Sequence, residues 1–186
     1  KLRFALEAID QLVFNTDEKL SDLLGTTQVR SDLIDVALKF YAELPRDAAL
    51  LGLEALTGPQ YGRLGDALRQ RGDPRAAEFY RLSLDAARRA VGGSETPAAP
   101  SRTSGDSPQL ALAAALQRMA NVERARSARD RLLQEAIAAL EDVHRTEPGN
   151  RRAAAQLART AMRQAEEFGR AGVFAAAEHG IDRALA

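Results

Sequence analysis

Residues 61–74, YGRLGDALRQRGDP, bring Gly62, Gly65 and Gly72 close together and beside several arginines. Glycines at such spacing cradle a phosphate when they lie between a strand and a helix, with a lysine or an open helix N-terminus at hand. No strand pattern precedes Gly62, both Gly62 and Gly65 fall inside a helical pattern, and the nearest lysine is Lys39. The chemistry that fits is contact between helices. A glycine inside a helix costs about 1 kcal/mol against alanine, so close packing must offset it.

Other groups that could react are sparse. The two histidines are His144 and His179, and His144 has Glu141 and Glu147 about one helical turn away on either side. A metal site needs more ligands converging than this, so no metal or cofactor is expected. The carboxylate pairs Asp17-Glu18, Glu141-Asp142 and Glu166-Glu167 are neighbours in sequence. Neighbours on a helix point about 100° apart and make no acid–base pair. The chain has no GxSxG elbow and no cysteine, which removes a cysteine nucleophile, thiolate zinc and disulfides. No catalytic residue is expected, and the chain reads as a non-enzyme.

Arginine is the remaining chemistry. Between Arg118 and Arg170 there are eleven arginines against eight acidic residues. They read either as a solvated face with i,i+4 pairs such as Arg163 with Glu167, or as a groove for an acidic peptide or a C-terminal carboxylate, which the guanidinium fork suits. Over the whole chain 26 Lys and Arg balance 26 Asp and Glu. That neutrality argues against a general nucleic-acid binder. Residues 1–57 hold six basic and ten acidic residues, net −4, so the rest is net +4. No run approaches 18 consecutive apolar residues, so no membrane insertion is expected within the sequence. The start at Lys1 and the end in mid-pattern read as a piece of a longer protein.

The elements that position these residues are helical throughout. Alanine and leucine are abundant, and no stretch alternates with period two, so the fold class is all-α. A first helix spans about 2–24, ended by Gly25, and a second about 28–44, ended by Pro45. A third runs from Asp47 to Arg71, with a kink or short break expected at Gly58-Pro59. RGDP at Arg71–Pro74 makes a tight turn into a helix from Pro74 to about Val91. Residues 92–107 are rich in Gly, Ser, Thr and Pro and read as a linker or surface loop. Helical pattern returns at Pro108 and runs to about 147, with an internal boundary near Ser127, where Ser127 and Asp130 suggest a variant capping box. The last pair covers about 151–170 and 173–185.

The helical pairs are similar to one another. A small residue (Gly65, Ala120, Ala165) stands seven positions before a turn residue (Gly72, Ser127, Gly172), and small residues Ala76, Ala136 and Ala177 follow in the partner helices. Two helices cross closely only where both lack bulk. The last copy, with Ala165, Phe168, Gly172, Phe174, Ala177, Ile181, Ala184 and Leu185, resembles the tetratricopeptide repeat. The first copy matches through Tyr61, Leu64, Gly65, Leu68, Gly72, Ala76, Tyr80 and Leu84, with one residue missing in the turn. The middle copy lacks the turn glycine, and its second helix is about a turn longer. Ala5, Leu6, Leu12, Val13, Leu20, Arg30, Leu33, Ala37 and Leu38 resemble the helical hairpin that precedes such repeats in large bacterial Ser/Thr kinases and signalling ATPases.

This resemblance implies a helical hairpin (1–45), a first repeat pair (46–91), the linker (92–107), a degenerate second pair (108–147) and a third pair (148–186). Together they would form a short right-handed α-solenoid. It implies a non-catalytic protein–protein interaction scaffold in a bacterial signalling protein, on either side of a membrane to which that protein is tethered. The expected partner is a protein or peptide, including another domain of the same chain. Alternatives are an intramolecular sensor or oligomerisation arm for an upstream kinase or ATPase domain, and a helical bundle holding a small ligand. Carried onto this sequence, the concave face of the repeats implies partner contacts at Asp66, Arg69, Gln70, Asn121, Arg124, Met162, Glu166 and Arg170.

Overall fold

The computed structural model describes residues 27–43, 54–92 and 107–170. The expected helices at 2–24 and 173–185, and most of the 92–107 linker, lie outside the described residues. Those described form six α-helices and no strand: α1 (Thr27–Glu43), α2 (Glu54–Gln70), α3 (Ala76–Gly92), α4 (Pro108–Val122), α5 (Arg126–Thr146) and α6 (Arg151–Arg170). The chain divides into two compact units, Lys1–Arg89 and Ala90–Ala186. Among the described residues no helix is long and apolar enough to cross a membrane.

In the first unit α2 and α3 lie antiparallel, and glycine decides how closely. A Cβ built on Gly65 would stand 2.6 Å from the Tyr80 ring and 3.3 Å from the Ala76 carbonyl oxygen. Small residues at 65 and 76 do bring the helices together, but the group that occupies the space is the Tyr80 ring, fully buried. Nearer the other end of the pair, Gly58 faces Ser83, Ala86 and Ala87. α2 runs through Gly58-Pro59 without the break that the sequence suggests. Burial against α3 outweighs the poor helix propensity, and the Ser83 hydroxyl donates to the Gly58 carbonyl at 2.7 Å, tying the Pro59 turn to α3. The rings of Tyr61 and Phe79 add a tilted contact, centroids 6.2 Å apart.

The turn after α2 has a definite cause. Gly72 has φ +70°, the left-handed region that glycine enters without a Cβ penalty. Its amide donates to the Arg69 carbonyl at 3.0 Å and the Asp73 amide to Leu68 at 2.9 Å, the paired bonds of a Schellman C-cap. Asp73 then accepts from the Arg75 amide at 2.9 Å and grips its guanidinium. These bonds to Arg75 hold the Asp73 carboxyl at about 2. Arg71 reaches back to Asp35 of α1 at 3.5 Å.

The second unit is an up-down-up arrangement of α4, α5 and α6. Ser107 caps α4 by accepting from the Leu110 amide, with Pro108 in the first turn. α4 ends before 123–125, so the turn precedes Ser127. Ala125 is the N-cap of α5, without a side-chain bond, and the expected Ser127–Asp130 capping box does not form because Ser127 already lies inside the helix. Glu123 accepts from the Ala125 amide instead. α5, at 21 residues against 17 in α3, carries the extra turn expected of it. Asn150 caps α6 through the Ala153 amide. Leu110 and Ala113 of α4, Leu140 and Val143 of α5, and Ala153 of α6 form one buried cluster. The Arg129–Glu167 ion pair, 3.0 Å and largely buried, joins the start of α5 to the end of α6.

Gly65→Ala should destabilise the chain by about 1–3 kcal/mol, because the Tyr80 ring it would strike is packed on all sides. Gly58→Ala meets only ordinary contacts and should change stability by no more than about 1 kcal/mol, in the favourable direction. Urea denaturation of the two variants separates these outcomes.

Candidate functional site

The residues expected on the concave face divide between the two units, Asp66, Arg69 and Gln70 in the first and the other five in the second. In the first unit Asp66 accepts a hydrogen bond from the Tyr80 hydroxyl at 2.8 Å. Arg69 also hydrogen-bonds at that hydroxyl. Burial first, then the bond to Asp66, pushes the Tyr80 phenol up to about 12. Asp66 therefore serves the packing of α3 on α2. Gln70 is exposed at the last residue of α2.

In the second unit two hydrogen bonds set α4 beside α6. Gln117 Nε2 donates to Thr160 Oγ1 at 2.6 Å, and one turn further along Arg163 donates to Asn121 Oδ1. Both helices advance in the same direction across these pairs, so α4 and α6 run parallel. Between them opens a cleft of roughly 290 Å³ lined by Ala114, Gln117, Arg118 and Asn121 of α4 and by Gln156, Arg159, Thr160 and Arg163 of α6, with Leu133 of α5 as the remaining wall. Each helix contributes residues at i, i+3, i+4 and i+7, the spacing of a single helical face.

The lining contains three arginines and neither a carboxylate nor a histidine. The Thr160 hydroxyl, the one hydroxyl there, donates to the Gln156 carbonyl at 2.7 Å, so its proton is already committed within α6. Guanidinium groups offer forked donors to carboxylate or phosphate oxygens, and such charge-assisted bonds are about twice as strong as neutral ones. The arrangement suits an anionic group held at the rim of a shallow polar groove. No cluster of three or more His, Asp or Glu that could hold a metal occurs among the described residues.

Of the eight expected contacts only Asn121 lines this cleft. Arg124 is exposed in the connection after α4, while Met162 and Glu166 are exposed on α6 outside the lining. The side chain of Arg170 lies outside the described residues. The lining residues not anticipated are chiefly Gln117, Arg118, Gln156, Arg159 and Arg163. Their signal in the sequence was a pair of stripes at matching spacing, 114/117/118/121 and 156/159/160/163, polar at every position but Ala114. The suggested Arg163–Glu167 pair within α6 gives way to two cross-helix contacts, Arg163 to Asn121 and Glu167 to Arg129. No protein-family model, characterised protein or solved structure matches the chain.

The Tyr80 environment makes a pH prediction. A folded value of about 12 lies above the ordinary tyrosine value near 10, so the folded state holds this proton more tightly. The stabilisation is complete below pH about 10 and is lost as the pH rises through about 12. The phenolate absorbance titration of wild type minus Tyr80→Phe should show one late-titrating tyrosine. Asp66→Asn should move it to lower pH, since the carboxylate charge no longer opposes ionisation.

Proposed function

We propose that the chain is a non-catalytic protein-interaction module whose α4–α6 cleft receives an acidic segment of a partner. The single observation that carries the reading is the convergence of Arg118, Arg159 and Arg163 on one groove whose lining has no carboxylate. Two parallel helices set over a third are what a tetratricopeptide-like array would place on its concave side, α4 and α6 being the first helices of successive pairs. On this reading the helices belong to a short right-handed solenoid in a larger bacterial signalling protein, and the partner is another protein or another domain of the same chain. The lack of a carboxylate or histidine in the groove leaves no base for proton transfer there and favours binding over catalysis.

The test uses the full chain and a fluorescein-labelled oligoglutamate peptide, followed by fluorescence anisotropy across a salt series. Binding should weaken with salt. Arg159→Glu should reduce affinity by about 10- to 100-fold, the scale of a lost hydrogen bond to a charged group. Arg124→Glu, outside the lining, should have a small effect. Equal losses from the two reversals would point to general charge attraction, and undiminished binding by Arg159→Glu would remove the cleft from the proposal.

A further inference from the structure

Resting on that reading, we infer that Asn121 is a positioning residue, which holds the Arg163 guanidinium in place over the cleft so that its remaining donors meet the ligand's anionic group. An arginine on a helix surface has many rotamers, and fixing it costs roughly 1.5–2 kcal/mol of side-chain entropy when a ligand does the fixing. In this chain the fixing is already done. Arg163 Nη1 donates to Asn121 Oδ1, and a guanidinium has five N–H donors, so four remain. The acceptor is an amide oxygen and takes no charge from the arginine, whereas a carboxylate in its place would cancel the attraction for an anion.

The foundation on which the two side chains meet is itself tied. One turn before Asn121, Gln117 binds Thr160, and the Thr160 hydroxyl passes its hydrogen bond on to the Gln156 carbonyl. Thr160 is buried, so α4 and α6 are held together directly beneath the Asn121–Arg163 pair. Cation and acceptor come from helices parallel to each other, 42 residues apart in sequence. The anion site is therefore preorganised across a helix boundary, and affinity depends on a residue that bears no charge.

A double-mutant cycle on the full chain with the same oligoglutamate probe decides the matter. Asn121→Ala should weaken binding by roughly three- to tenfold, the range of a net hydrogen-bond contribution. The salt dependence should stay unchanged, because no charge is lost. In an Arg163→Gln background, Asn121→Ala should have no further effect. Asn121→Asp keeps an acceptor for Arg163 but should weaken binding and flatten the salt dependence. An equal loss from Asn121→Ala in both backgrounds would mean that Asn121 touches the peptide on its own account, which overturns the inference. So would wild-type affinity in Asn121→Ala with binding still weakened by Arg159→Glu, and that result would leave the interaction reading standing. Failure of the wild-type chain to bind the probe at all would overturn both.

Discussion

How closely two helix backbones can approach governs most of what this chain displays. At Gly65 there is no side chain, and the ring of Tyr80 takes the vacated space. A fully buried phenol must still satisfy its hydroxyl, and Asp66, the next residue along α2, accepts it. Arg69, a turn away, reaches the same hydroxyl. One missing Cβ thus commits an aromatic ring, an acid and a base to the seam between α2 and α3. Asp66, expected at a partner, is engaged within the seam by the Tyr80 hydroxyl.

The second unit meets the same constraint with alanine. Ala113, Ala120, Ala136, Ala153, Ala161 and Ala165 are all buried, so its three helices pack with little bulk at many of their contacts. The polar residues beside those alanines are drawn close as a consequence. Gln117 finds Thr160 and Asn121 finds Arg163, and Thr160 and Gln164 are buried polar groups on the inner side of α6. A slim, partly polar contact between parallel helices leaves a groove whose rim carries charge and whose wall includes one leucine. That geometry is the physical basis for proposing recognition of an anionic segment.

Much of the fold could be read from residue order. The start of α6 at Arg151, the position of α4 after Ser107-Pro108, and the extra turn of α5 followed from helical periodicity, caps and breakers. The turn at Gly72 followed from its local chemistry. Misreadings occurred where tertiary contact overrode local preference. Gly58-Pro59 suggested a kink or a short break, and the break does not occur because the glycine-bearing face of α2 is buried on α3. Ser127 suggested a cap, yet α5 begins at Arg126 with an alanine N-cap, the helix gaining its stability from the buried row Leu133, Ala136, Ile137 and Leu140.

The candidate site divides in the same way. Sequence by itself determined that the described residues are helical, that the chain has no thiol, and that eleven arginines stand against eight acidic residues between Arg118 and Arg170. Each of these depends on composition or on contacts within a few residues. It also contained both stripes of the cleft, since residues three and four apart share a helix face whatever that face meets. Only the tertiary structure decided which stripes meet. Arg163 could pair with Glu167 one turn away or with Asn121 on another helix, and local spacing favours neither decisively, because an exposed i,i+4 pair contributes only a few tenths of a kcal/mol. The parallel packing of α4 and α6 settled that choice, turning a run of arginines into a groove.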